Sequence, residues 1–216
     1  MDVTNTAPSV DQAIEIKAKR ALDENALRTI FTEARTANGF FDRPVTREVL
    51  TSIVELAELG PTSANSLPMR LVFVSTPEGK ALLRPALSPG NLDKTMAAPV
   101  TAIVASDTQF YENFPRTFPQ RPEMKDRFSS PESAATAKQF AWDNAVLQCA
   151  YLIISARAHG LDAGPMGGFD RAITDAAFFP DNRFKSIYLV NLGYGDDSNT
   201  FPRLPRLPVD EIARFV

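Results

Sequence analysis

The sequence predicts an α+β fold, and three observations carry that expectation. Apolar, β-rich runs at Leu71-Val72-Phe73-Val74, within Pro99–Ser106 and at Ile187–Leu192 have the length and composition of core strands. Other stretches place apolar residues at helical spacing behind clear N-caps. Strands and helices follow one another without the regular βα alternation of a doubly wound parallel sheet. At 216 residues, with 44% hydrophobic residues, the chain is expected to form a single domain over 21–216.

Residues 1–20 read as a polar leader. Asp23 is the first N-cap, followed by Ala26, Leu27, Ile30, Phe31 and Ala34 at helical spacing. That helix is expected to deliver Arg35-Thr36-Ala37-Asn38 at its C-terminal end, with Gly39 as terminator. Thr46 caps a second helix whose stripe is Val49, Leu50, Ile53, Val54 and Ala57, and Gly60 ends it. The loop Pro61-Thr62-Ser63-Ala64-Asn65-Ser66-Leu67-Pro68 then leads into the first strand. Pro77-Glu78 opens a short helix to about Leu87, Pro89-Gly90-Asn91 reads as a turn, and Pro99–Ser106 as a second strand.

Residues 107–131 break the pattern. They hold Phe110, Tyr111, Phe114, Phe118 and Phe128 with Arg116, Arg121, Lys125 and Arg127, too aromatic for a polar linker. A lid over a binding site and a loop packed on the core stay open for this stretch, and aromatics mixed with cations also suit a single-strand nucleic-acid platform, which the acidic balance of the chain disfavours. Ser130-Pro131-Glu132 starts a helix running to about His159. From Ala145 to Ala158 that helix is apolar nearly all round, broken by Gln148, Ser155 and Arg157, so it needs cover on every face. The Pro-rich tail at 201–216 ends in an apolar segment suited to reaching a partner subunit.

Net charge −3 and a pI near 5.3 weigh against a nucleic-acid partner. No run approaches the roughly 18 apolar residues of a membrane span. A lone cysteine, Cys149, leaves no intramolecular disulfide and suits a reducing, cytoplasmic setting. The single histidine, His159, lies at a helix C-terminus, so no histidine-based metal site or catalytic triad is expected. Gly193-Tyr194-Gly195 lacks the following apolar helix of a dinucleotide-binding turn. No catalytic side chain and no metal ligand set stands out.

Polar clusters instead gather at the expected element ends. They are Arg35, Thr36 and Asn38; Thr62, Ser63 and Asn65; Asn91 and Lys94; and Arg203 with Arg206. Between them lies Gly164-Pro165-Met166-Gly167-Gly168-Phe169, where backbone can approach a ligand closely. Cations, amides, hydroxyls and a glycine turn together suit a phosphorylated heterocycle.

The order Arg-Thr, Pro-Thr-Ser-Ala-Asn-Ser-x-Pro, Asn-x-x-Lys, Gly-Leu-Asp-x-Gly-Pro-Met-x-Gly-Phe-Asp and Arg-Leu-Pro resembles the nitroreductase-like FMN family from about residue 25 onward. Leu161–Asp170, Asn191–Asp196 and Phe201–Leu207 resemble most its malonic semialdehyde reductase branch, of pyrimidine degradation. The resemblance implies a three-layer α+β fold, with a mixed, mainly antiparallel sheet flanked by helices, in an intertwined homodimer. It implies FMN at the subunit interface, with NADH or NADPH as reductant and a small aldehyde, nitro or quinone compound as acceptor. Arg35 and Arg203 would hold the phosphate, with Thr36 and Asn38 nearby. Thr62, Ser63 and Asn65 would reach the flavin of the other subunit, and Asn91 and Lys94 would lie at the pyrimidine edge of the flavin ring. Pro165, Met166, Gly167 and Gly168 would face N5. Two departures accompany the resemblance: Ala37-Asn38-Gly39 lacks the second cation many members place there, and Gly167 stands where many have glutamate. Malonic semialdehyde reduction, broad nitro or quinone reduction, and flavin binding without turnover remain the alternatives.

Overall fold

The computed structural model describes residues 20–216, so all of the expected leader but Arg20 lies outside the described residues. One four-stranded sheet has the order β1-β2-β4-β3, with β1 at Met69–Val74, β2 at Val100–Asp107, β3 at Asp162–Met166 and β4 at Phe184–Gly193. Every pairing among these strands is antiparallel. The expected mixed character reduces to one parallel bridge, Thr36 to Ala163. The helices are α1 (Glu24–Leu27), α2 (Arg47–Ala57), α3 (Pro77–Leu83), α4 (Pro89–Ala97), α5 (Phe114–Thr117), α6 (Ala134–Ala158), α7 (Arg171–Phe178) and α8 (Val209–Ile212).

Three layers follow from the alternation of side chains along a strand. Val100, Ala102 and Val104 of β2 pack toward Leu50, Ile53 and Ala57 of α2 and toward Cys149, Leu152 and Ala156 of α6. Ile103 and Ala105 face the other way, into a cluster with Leu83, Met166, Phe169 and Phe179. Every residue of β2 is buried, which explains its near-continuous apolar run. Gly60 ends the α2 region beneath Tyr151, whose ring lies 2.5 Å from where a β-carbon would stand.

Several boundaries differ from the sequence expectation, each for a physical reason. The first helix does not run on to Gly39. Asp23 caps α1 as expected, accepting from the N–H of Ala26, and a π-helical turn at Arg28–Thr32 follows. The chain then turns extended, and the Ala37 N–H donates to the Ala163 carbonyl at 3.1 Å. Pro89-Gly90-Asn91 is the first turn of α4 rather than a loop, with Pro89 at a helix start where its missing N–H costs nothing. Pro165 and Met166 lie in β3, not in a turn. Within the stretch 107–131 the phenylalanines gather into a cluster of their own on α6. Phe110, Phe114 and Phe128 are buried against Ala137 and Ala141 of α6, and Phe110 stacks on Phe140 at 5.2 Å.

Helix α6 starts as the sequence predicts: Ser130 accepts from the Ser133 N–H, and a short 3-10 turn leads in. His159 caps its end, with Nδ1 2.8 Å from the Ser155 carbonyl. Cys149 is buried, and burial pushes its thiol up to about 12.

Asp107 closes the exit of β2. Fully buried, it accepts from Arg70 Nη2 at 2.7 Å and from Arg183 Nε and Nη2 at 2.8 and 3.0 Å. The Gln109 N–H adds a fourth bond at 2.9 Å. Asp107→Ala should lower unfolding free energy in urea by about 3 kcal/mol, the low end for a broken buried ion pair. The reason is that both guanidiniums keep 30% exposure and can rehydrate.

Candidate functional site

The extended segment after Thr32 and the tail after Thr200 bind each other through reciprocal arginines. Arg35 Nη2 donates to the Phe201 carbonyl. Arg203 Nη2 donates to the carbonyls of Thr32 and Ala34 at 2.8 and 3.0 Å. Between them opens a cavity of about 410 Å³ lined by Arg35, Thr36, Asn38, Arg157, Arg203 and Arg206, with Phe31 and Leu204 among its apolar walls. Within the described residues, none of these arginines pairs with a carboxylate. Guanidiniums without a carboxylate in salt-bridge contact give the cavity a positive character.

The face continues from this cavity along β3 and α4. Thr36 bridges Ala163, and Gly164 permits the approach: a β-carbon there would lie 2.6 Å from the Ala37 carbonyl. The backbone that Gly164 admits is therefore the chain's own. Lys94 Nζ donates to Asn38 Oδ1 at 3.4 Å, joining α4 to the Arg35 segment. Asn91 stands one turn before Lys94 on the same helix face. Its Nδ2 donates to the Gly168 carbonyl at 2.8 Å, and a β-carbon on Gly168 would sit 2.8 Å from that nitrogen. The turn after β3 is strapped further by the Leu87–Phe169 bridge and by the Asp170 N–H on the Ala86 carbonyl at 2.7 Å. Gly167 is exposed, with nothing closer than 3.8 Å to a β-carbon placed on it. Pro165 is also exposed, whereas the Met166 side chain is buried and leaves only its backbone for a ligand.

Thr62, Ser63 and Asn65 do not join this face within one chain. Thr62 Oγ1 accepts from the Leu67 N–H, the Ser63 N–H donates to Asn144 Oδ1 at 2.7 Å, and Asn65 Nδ2 donates to the Thr117 carbonyl at 2.6 Å. Ala64, Asn65 and Leu67 all take positive φ, which is costly for residues with side chains. The loop is held by α6 and α5, and it lines no part of the arginine cavity.

The family model described as "Nitroreductase family" matches residues 32–194, about three quarters of the chain. The chain belongs to the nitroreductase family. A relative from Xanthomonas oryzae pv. oryzae, described as "Putative NADH dehydrogenase/NAD(P)H nitroreductase", is 53% identical over 195 residues, covering 90% of this chain and 98% of that one. Two solved structures described as "putative nitroreductase" share the fold. One is from Bacillus subtilis, with TM-score 0.79, 23% identity and coverage of 89% of this chain and 99% of that one. The other, from Exiguobacterium sibiricum and "in complex with FMN", gives 0.76, 24%, 92% and 99%.

In this nitroreductase-family chain, two features of the site escape the motif reading. Arg157 reads in sequence only as an interruption of an apolar helix, yet it lines the arginine cavity. A lone charge in the last turn of an otherwise apolar helix was the available signal. The second is Lys80, buried beneath α4 with no carboxylate beside it. Its Nζ donates to the Thr95 carbonyl and to Thr101 Oγ1, each at 2.7 Å. Thr101 donates to Asn191 Oδ1 at 2.8 Å, and Asn191 Nδ2 reaches the Lys94 carbonyl and Thr95 Oγ1 at 3.3 Å. Thr95 Oγ1 in turn reaches Met166 Sδ at 3.4 Å. A buried cation at the C-terminal end of α4 also suits the helix dipole.

Burial lowers the Lys80 pKa to about 8. Between that value and the unfolded lysine value of about 10.4, the unfolded chain holds more protons than the folded one. Stability should therefore rise with pH across that window, by at most about 1.4 kcal/mol per unit. The Lys80→Met variant should lose the rise, and the difference between the two urea stability curves against pH measures it.

Proposed function

We propose that the protein is an FMN-dependent NAD(P)H oxidoreductase working as a homodimer, with malonic semialdehyde, reduced to 3-hydroxypropionate, as its acceptor. The observation that carries the cofactor reading is the continuous face from the arginine cavity through Asn38 and Lys94 to Asn91 and Gly168. The residues fit FMN in charge and in order. Arginines without carboxylate partners suit its phosphate, a cation and an amide on one helix face suit its pyrimidine edge, and the glycines after β3 leave room for a flat ring. Its solved neighbour from Exiguobacterium sibiricum carries FMN in the same fold. Bound FMN would supply a two-electron carrier between the nicotinamide and the acceptor.

On this reading the chain's own groups bind and orient. Arg35 and Arg203 hold the phosphate, with Thr36 and Asn38 beside them. Lys94 places positive charge where negative charge develops during reduction, a stabilisation that strengthens as water is excluded. Asn91 fixes the Gly168 carbonyl, and so the backbone path of Pro165–Gly168 against the reacting edge. Gly167 keeps that edge open to a small acceptor.

The dimer completes the site with Thr62, Ser63 and Asn65, which one chain keeps away from its own face. It also covers apolar surface that one chain leaves in water: Leu147 on α6, and Phe201, Leu204, Leu207, Ile212 and Phe215 in the tail. Static light scattering should give the mass of two chains for the flavin-loaded protein. A monomer with full flavin occupancy would overturn the shared site.

The semialdehyde assignment rests on the resemblance of Leu161–Asp170, Asn191–Asp196 and Phe201–Leu207 to that branch. Nitro or quinone reduction is the second reading, favoured by the description of the Xanthomonas oryzae relative. Under anaerobic conditions, NADH or NADPH should bleach the yellow protein. Malonic semialdehyde should then restore the colour faster than a nitroaromatic or a quinone. Faster recovery with the nitroaromatic or quinone transfers the assignment to the second reading. Yellow protein that neither nicotinamide bleaches is a flavin carrier, and colourless protein that takes up no FMN is neither.

A further inference from the structure

Arg157 occupies the last turn of α6 and lines the arginine cavity together with Arg203 and Arg206 of the tail. Its Nη1 donates to the Ile30 carbonyl at 3.1 Å, which fixes the guanidinium plane. Its Nε is buried and has no hydrogen-bond partner. A buried donor left unmatched is rare, and most have a structural explanation. Capping of α6 does not supply one, because the bonded nitrogen serves a carbonyl of another segment. Ion pairing does not supply one either: Asp162 lies near enough to act on the guanidinium only through space, and no salt bridge to Arg157 forms among the described residues. Burial lowers the Arg157 pKa, Asp162 opposes that, and the nearby charge of Arg203 adds to the lowering. The chain thus half-buries a guanidinium beside a like charge and leaves its buried Nε unmatched.

We propose that Arg157 is a phosphate ligand of the bound flavin mononucleotide, its guanidinium donating to the same monoester that Arg35 and Arg203 hold. This rests on the FMN reading above. A monoester dianion would take up donors of the guanidinium that the chain leaves unmatched and would offset the repulsion from Arg203. Arginine suits the task because its fork keeps separate donors for a carbonyl and for a phosphate, where lysine offers a single point charge. Because the contact is to the phosphate alone, Arg157 has no part in binding the ring.

The test compares FMN with riboflavin, which differ by the phosphate. The full-length wild type, Arg157→Met and Arg157→Lys are titrated with each flavin by quenching of flavin fluorescence. The wild type should prefer FMN strongly. Arg157→Met should lose about tenfold or more in FMN affinity, the effect of one charged hydrogen bond, with riboflavin affinity essentially unchanged. Arg157→Lys, which keeps charge but not the planar fork, should fall between them and carries the test if the methionine variant does not fold. FMN affinity unchanged in both variants overturns the assignment. So does an equal loss for FMN and riboflavin, which would make Arg157 a structural tie between α6 and Ile30. A wild type that binds neither flavin, or does not prefer FMN, overturns the FMN reading as well, and is distinguishable because it appears before any substitution.

Discussion

The structure hangs on the pairing of β2 with β4. Strand β2 is buried along its whole length, with α2 and α6 on one face and the α3 and α7 side on the other. A central strand covered on both faces has one register that keeps Val100, Ala102 and Val104 on the α6 side, and a slip of one residue would exchange the two faces. Asp107 pins its far end between two arginines. Its near end follows directly from α4, with only Ala98 and Pro99 between them. The position of Asn91 and Lys94 is therefore set by the sheet rather than by a loop. Strand β4 carries β3 along its other edge, so the Gly167–Gly168 turn is referred to the same frame.

The buried polar chain beneath α4 binds these parts together. Lys80, Thr101, Asn191 and Thr95 come from α3, β2, β4 and α4, and their bonds end at Met166 of β3. An apolar core at that spot would pack equally well but would leave the rotation of α4 about its own axis less defined. Directional bonds to the Lys94 and Thr95 carbonyls fix it. The desolvation of an ammonium group is the cost, visible in the lowered Lys80 pKa. The helix dipole at the end of α4 offsets part of it.

Strands and long helices were legible in the sequence because their signals are local. Val100–Val104 and Ile187–Leu192 have the composition of buried strands, and Thr46 and Ser130 cap helices where expected. The misjudged places are those where a distant partner decides. Nothing local in Arg35–Gly39 announces that Ala163 will take the Ala37 N–H. Gly164 looks like a ligand turn but serves that same contact. The phenylalanines of 107–131 have no periodicity because they pack from short turns onto α6. Of the site, the motif order anticipates the groups that meet along α4 and β3. Arg157 escapes it because the meaning of that residue depends on where the tail crosses, more than forty positions later.

That crossing explains why the cavity is built from arginine. Gathering guanidiniums without carboxylates is unfavourable, and an exposed tail has few contacts with which to resist the repulsion. Each arginine resists it with part of its own donor set. Arg203 uses Nη2 on the carbonyls of Thr32 and Ala34, and Arg35 uses Nη2 on the Phe201 carbonyl. A guanidinium has five N–H donors in a rigid fork, so donors remain for a ligand after the tie is made. One residue type thus joins the tail to the first segment and keeps the charge in place for an anion. An ammonium could donate to the same carbonyls, but its donors sit on one atom and lack the planar fork. The tail's Pro202 and Pro205 limit the backbone freedom that the ties must overcome. Charge in the cavity and placement of the tail are therefore one constraint: substitutions that weaken the tie also disperse the positive charge of the cavity.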